Sequence, residues 1–460
     1  MQLLKDRSAV MTLLIFLAGC AVLWGTGTIN TRHLIDNIVA GYFLVWGLYA
    51  FLSSLPKKEV RARFVLMTVA CVLVLGAAEI PAILSLVNYQ VLLGGPERGL
   101  WDRPGYVRDP DLRYRHVPHH RERGLYVRGN LGEGLCLPPN PPKEFDLRYD
   151  HNGFRNDEDM DRADVVVIGD SYVEGAMLPS SDLLTAALAE RLGTVVANLG
   201  VNGYGPEQEL VVLKRYALSL QPKAIVWVFF EGNDLSQVHS EEDETEDSFS
   251  DTGAPQDDYW IRSLTRNLLF AAKKVIQGCV PNRTLFQFRG EFQEADGQRT
   301  ELFFVEEPWP ARRQGHDPLE RVRTILTEAY ELTRLRGIQF VVAYAPTSYR
   351  VHHGLKNFEP STPQMKKLPV SSLLDEFEQM LESISPDIEF VDLTLPLREA
   401  AAAGILTYLS DDTHWTSDGQ RIAGQALHQH LTATASRESG NRYVSEQGLP
   451  KRKGSSLQRL

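Results

Sequence analysis

Ser171 stands in V-V-V-I-G-D-S-Y-V-E-G, directly after an apolar run of strand character and before a helical stretch. A hydroxyl on such a turn is exposed at a strand end, where the N–H groups of the following helix favour developing negative charge. The same residues read equally well as an ordinary helix start, with a serine after aspartate serving as cap. Far downstream, S-D-D-T-H-W-T-S-D-G puts Asp411 three residues before His414. A serine hydroxyl is a weak nucleophile at neutral pH unless a base within hydrogen-bond reach takes its proton, and that base needs an acceptor to fix its tautomer. His414 is the candidate base and Asp411 the candidate acceptor. Two further blocks, N-L-G-V-N-G-Y-G and F-E-G-N-D-L, follow apolar runs. In them Gly203 offers a backbone N–H at close approach and Asn233 a side-chain amide, which with the N–H of Ser171 makes three donors for a tetrahedral oxyanion. Taken singly, Asn-Gly and Gly-Asn-Asp are turn signals.

These blocks need a frame that brings strand ends together. From Asp164 onward, short β-branched runs alternate with amphipathic stretches, the pattern of a parallel α/β sheet. Strands are expected at Val165 to Ile168, Val195 to Asn198, Ala224 to Phe230, Gln339 to Tyr344 and Ile388 to Val391. Helices are expected at Leu183 to Leu192, Glu207 to Leu218, Leu319 to Leu335, Val370 to Leu381 and Ser417 to Thr434. Strands that are apolar throughout have both faces covered, and catalytic groups then gather at their carboxyl ends. Tyr349 and Arg350, in A-P-T-S-Y-R after the fourth strand, occupy another such strand end and are candidate substrate contacts.

The remaining organisation is read from composition. Three apolar stretches, 9–29, 38–55 and 64–87, approach the roughly 20 residues that cross a bilayer. With Lys5 and Arg7 before the first and Lys57, Lys58, Arg61 and Arg63 between the second and third, the positive-inside rule places the N-terminus in the cytoplasm and everything after about Asn88 outside it, in a periplasm if there is one. Residues 1–90 are therefore expected to be a bundle of three membrane helices, in which Glu79 marks either a functional contact or the end of the third span. Residues 91–160 read as an irregular or β-rich lead-in and 161–437 as the main domain. Within it lies an insertion at about 237–315 that holds a solvated acidic stretch, Ser240 to Asp258, and a helix near Ser263 to Ile276. Residues 438–460 read as a disordered tail. A net charge of -11 without a basic cluster in the folded part speaks against nucleic acid. Among four cysteines no C-x-x-C occurs, which speaks against a zinc site, and only Cys136 and Cys279 lie where they could pair.

G-D-S-Y at Gly169 to Tyr172, the Gly203 block, G-N-D at Gly232 to Asp234 and D-x-x-H at Asp411 to His414 stand in an order that resembles the SGNH/GDSL hydrolases. The resemblance implies a three-layer α/β/α, flavodoxin-like domain over Asp164 to Thr434, with Ser171 as nucleophile, Gly203 and Asn233 as oxyanion donors, His414 as base and Asp411 as triad acid. Asp412, two residues before His414, gives the D-x-H-W form of alginate O-acetyltransferase-like members, so the acid lies between Asp411 and Asp412, with spacing in favour of Asp411. The lead-in stretches D-P-D-L-R-Y and H-N-G-F-R-N resemble the preamble of large membrane-anchored members and read as scaffold, Arg155 included. The implied activity is cofactor-free hydrolysis of acyl esters, O-acetyl groups of cell-envelope or exported polysaccharide being the expected substrate. Transfer of the acyl group to a glycan, fed by a membrane-bound O-acyltransferase, and glycan binding without catalysis are the alternatives.

Overall fold

The computed structural model describes residues 58–94, 103, 105–175, 178–238, 259–278, 281–305 and 317–447. The chain divides into two compact units, Met1–Pro96 with Pro255–Lys273, and Glu97–Ala254 with Lys274–Leu460.

The second unit is built on five parallel strands, β5 (Val165–Gly169), β6 (Val196–Gly200), β7 (Ala224–Phe230), β10 (Gln339–Ala345) and β12 (Glu389–Asp392), in the order β12-β10-β7-β5-β6. Each expected strand is present, β7 with the expected bounds and the others within two residues. Successive side chains of a strand point to opposite faces, and both faces here are covered. Val166, Ile168, Trp227, Phe229, Val342 and Tyr344 pack with apolar residues of helices Pro206–Arg215, Pro318–Arg334 and Leu373–Ile384. Val165, Val167, Val226, Val228, Val341 and Ala343 pack with those of Leu184–Leu192, Thr394–Ala402 and the start of Ser417–Gln447. This is the α/β/α arrangement that continuous apolar strands demand. The last helix runs to Gln447, nine residues past the expected start of the tail at 438, so that boundary is corrected; 448–460 lie outside the described residues.

The lead-in contains two antiparallel pairs of strands, β1 (Tyr106–Asp109) with β2 (Arg113–His116) and β3 (Arg121–Tyr126) with β4 (Lys143–Arg148), and the insertion contains a further one. There β8 (Arg289–Gln293) and β9 (Arg299–Phe303) form a hairpin that β11 (Phe358–Pro360) extends to a second, three-stranded sheet. Cys136 is disulfide-bonded. Cys279, the partner considered for it, and the acidic stretch from Ser240 to Asp258 lie outside the described residues.

In the first unit, the apolar stretches 9–29 and 38–55 lie outside the described residues. The third falls mainly in helix Lys58–Ile83. No helix among the described residues is long and apolar enough to cross a membrane. Between Arg63 and Glu79 the run free of charge is shorter than the roughly 20 residues a span needs. Glu79 has a structural partner: its carboxylate accepts hydrogen bonds from the hydroxyl of Ser263 (2.9 Å) and the backbone N–H groups of Leu264 (2.9 Å) and Thr265 (2.7 Å), capping the start of helix Leu264–Gln277.

Candidate active site

The nucleophile turn is shaped by three local features. Asp170 caps the short helix Ser171–Glu174, its Oδ1 accepting from the N–H of Tyr172 at 2.9 Å. Gly175 closes that helix in the left-handed region at φ 80°. Beside it, β6 ends at Gly200, where a β-carbon would lie 2.4 Å from the backbone nitrogen of Glu174, so only glycine lets the turn sit so close to the neighbouring strand.

The His414 loop is held by contacts of its own and by one from the nucleophile helix. Tyr408 bridges to Trp415, the N–H of Leu409 donates to His414 O at 3.0 Å, and the Tyr172 hydroxyl donates to Thr413 O. The result is a continuous line of bonds. His414 Nε2 stands 2.7 Å from Ser171 Oγ, and His414 Nδ1 stands 2.5 Å from Asp412 Oδ1. With the proton on Nδ1, Nε2 is free to accept the serine proton, which is the arrangement a serine nucleophile requires.

The carboxylate on His414 is thus that of Asp412, and the D-x-x-H assignment of the acid to Asp411 is corrected. Asp411 Oδ2 faces the other way, accepting from Gly129 N–H and Asn140 Nδ2, both at 3.0 Å. Asp412 is bonded at both oxygens: Oδ1 also takes the His414 N–H at 3.1 Å, and Oδ2 takes the Tyr126 hydroxyl at 3.1 Å and the Asn130 N–H at 2.9 Å. Asn130 further exchanges bonds with Thr413, whose N–H donates to Asn130 Oδ1 at 3.1 Å and whose hydroxyl accepts from Asn130 Nδ2 at 2.8 Å. Tyr126 and Asn130 belong to the lead-in and carry no sequence signal for such a role.

Ser171, Gly203, Asn233 and His414 line one cavity of about 600 Å³. Its floor and walls include Phe230, Leu235, Val238, Phe304 and Leu373, with Asn130, Asn202, Ser236, Gln237 and Ser348 among the polar groups. Asn233 Nδ2 donates to Asp170 Oδ2 at 3.2 Å, which orients the amide and leaves its second hydrogen for a ligand. Two insertion residues, Phe303 and Phe304, line the same cavity, so the hairpin missed in the sequence shapes it.

The two candidate substrate contacts differ. Tyr349 lines the cavity, but its hydroxyl is engaged with Leu368 O and with His353 Nδ1 at 2.8 Å. Arg350 is not among the cavity-lining residues. Its guanidinium grips Glu231, with Nε at 2.8 and 2.9 Å from the two carboxylate oxygens, and donates to Ser371 O at 2.7 Å. Glu231 in turn accepts from Thr347 N–H at 2.9 Å, tying the end of β7 to the end of β10. Arg350 is corrected from a substrate contact to a brace. Arg155 is likewise internal, donating to Glu174 O at 2.8 Å and to Leu178 O.

Charge in the site follows from burial and pairing. Burial alone would push the His414 imidazole down, but the hydrogen bond and charge of Asp412, with the charges of Asp170 and Glu174, carry it above its ordinary value. Burial likewise favours neutral Asp412, yet its bonds to His414 and to the Asn130 N–H hold it below the usual carboxylate range. Glu174, pushed up by burial, is brought down to about 2 by His116, Tyr149 and the Asn202 N–H. A base must be neutral to act, so the rising limb of a kcat/KM profile against pH is expected above the ordinary histidine value of roughly 6.5. In Asp412→Asn the main upward contribution is gone and the limb moves to lower pH; a limb that stays put would show that His414 does not set it.

Residues 167–422 match the GDSL-like Lipase/Acylhydrolase family. No curated protein matches the chain. Solved structures similar to it include a member of the lipolytic protein G-D-S-L family from Veillonella parvula (13% identity, TM-score 0.30, 58% of this chain and 97% of that one). Others are a GDSL-like lipase from Bacteroides thetaiotaomicron (13%, 0.30, 59% and 88%) and a lipase/acylhydrolase from Enterococcus faecalis (12%, 0.30, 59% and 95%).

Proposed function

The chain belongs to the GDSL-like lipase/acylhydrolase family, serine hydrolases acting on esters, and from that premise we propose that it removes O-acetyl groups from carbohydrate. The observation that carries the chemistry is the bonded series Ser171, His414, Asp412 beside a cavity that Gly203 and Asn233 also line.

Ser171 Oγ attacks the ester carbonyl as its proton passes to His414 Nε2. The carbonyl oxygen becomes an oxyanion among the N–H groups of Ser171 and Gly203 and the Asn233 amide. These donors act on charge that exists only in the transition state and the intermediate, which raises kcat rather than tightening substrate binding. The C–O bond to the alcohol then breaks, and His414 returns its proton to the leaving oxygen. Water, deprotonated by His414, attacks the acyl-serine carbonyl, the bond from that carbon to Ser171 Oγ breaks, and His414 returns the proton to Oγ as the carboxylic acid leaves.

The carbohydrate alcohol rests on the polar part of the cavity lining, where Asn130, Asn202 and Gln237 can bond hydroxyl groups. The test is covalent labelling. A serine-directed ethyl phosphonate is expected to modify wild-type protein once, at Ser171 by peptide mass, and to leave Ser171→Ala unmodified; a label elsewhere, or none, rejects the proposal. Release of acetate from O-acetylated xylan or alginate, against tributyrin as a lipid ester, then decides the substrate.

A further inference from the structure

Gly203 is an effective oxyanion donor only while its N–H faces Ser171, and glycine does little to enforce that. At φ 77° it sits in the left-handed region, where a peptide unit next to glycine rotates at small steric cost. The direction must be imposed from outside the loop. The peptide that carries the Gly203 N–H also carries the Asn202 carbonyl, and in a planar trans unit the two point in opposite directions. The Asn202 oxygen accepts a hydrogen bond of 2.7 Å from the hydroxyl of Tyr114, 88 residues earlier in the lead-in. Anchoring the oxygen there turns the nitrogen the other way, toward the cavity that Gly203 and Ser171 both line. Among the described residues the Gly203 N–H donates to no backbone carbonyl.

We propose that Tyr114 is a positioning residue that locks the Gly203 N–H into the oxyanion site. The inference rests on the ester-hydrolase reading of that site. Tyr114 is well placed to act as a lock. It is buried on β2, its ring packs against Tyr106 (centroids 5.7 Å apart) and Tyr204 (5.4 Å), and Tyr204 donates its hydroxyl to Tyr114 O at 2.5 Å. The preceding peptide is pinned as well, since Asn202 N–H donates to Glu174, itself bonded to His116 at 3.1 Å and Tyr149 at 2.7 Å. With one neighbouring peptide unit fixed, the remaining freedom is rotation of the unit that Tyr114 holds. A carbonyl that accepts a hydrogen bond also makes the N–H of its own peptide a stronger donor.

The experiment compares full-length wild type, Tyr114→Phe and Tyr204→Phe on 4-nitrophenyl acetate, below the Tm of each. Tyr114→Phe keeps the ring and removes only the lock. Complete loss of one oxyanion donor lowers kcat about 10²- to 10³-fold, and a donor that still visits its position should lose on the order of 10-fold. The expected result for Tyr114→Phe is that loss in kcat, KM within about twofold, the same loss in the rate of phosphonate labelling, and an unchanged pH limb. Tyr204→Phe removes a buried hydroxyl from the same cluster without touching Asn202, and its kcat is expected to stay near wild type. If Tyr114→Phe retains wild-type kcat, or if both variants lose kcat equally, the lock is overturned while the hydrolase stands. Wild-type protein that neither turns over nor labels overturns both.

Discussion

Ser171→Ala and His414→Ala each lower kcat/KM on an activated ester by about 10⁵-fold, and the double variant is hardly worse, because nucleophile and base work as one unit. The loss is expected without a fall in Tm. Ser171 Oγ meets His414 at 2.7 Å and both face the cavity, so neither truncation opens a hole in the packed core. The residual rate is the contribution of the oxyanion donors and of binding, which neither substitution touches. Steady-state assays at several pH values, with thermal melts, check it. A variant that keeps even a tenth of wild-type activity would remove Ser171 or His414 from the mechanism.

The second large effect separates two adjacent carboxylates. Asp412→Asn leaves the geometry intact but places an amide against His414 Nδ1, where it favours the wrong tautomer, and kcat is expected to fall by about 10³- to 10⁴-fold. Asp411→Asn alters a group whose partners are Gly129 and Asn140. Both bonds fall on the single oxygen Oδ2, whose place the amide oxygen can take while accepting both, so the expected cost is at most about 1 kcal/mol of stability with kcat near wild type. Parallel kcat and Tm measurements on the two variants decide the assignment. If Asp411→Asn proves the catalytically dead variant, the triad has been misidentified.

That pair also marks where legibility in the sequence ends. Ser171 and His414 are recognisable because each sits in a block whose neighbours form its turn: Asp170 caps one, and Trp415 anchors the other in the core. The strands are legible because each is an uninterrupted apolar run; all seven residues of β7 are buried. Counting residues back from His414 cannot decide the acid, since the choice is made by Tyr126 and Asn130, more than 280 residues earlier. Arg350 looked available because its partner Glu231 is 119 residues away. The β8–β9 hairpin was missed although its signal was present: Asp296-Gly297, with Gly297 at φ 90°, stands between R-G-E-F-Q and R-T-E-L-F. The first two apolar stretches, at 9–29 and 38–55, lie outside the described residues, so they stand as the sequence alone presents them.

The clasp that Tyr126 and Asn130 place on Asp412 bears on when the enzyme becomes competent during its own synthesis. Asn130 and Asp412 are 282 positions apart. At a ribosomal rate of about 5–20 residues per second, the lead-in waits roughly 15–60 s for the loop it must hold. Until then the nucleophile turn and the central strands can form, but no base is in place to activate Ser171. Nascent chains stalled anywhere before residue 412 would be folded in part and chemically silent. A protease nick between the strand pairs of the lead-in and β5 would silence the finished enzyme only if the clasp lets go.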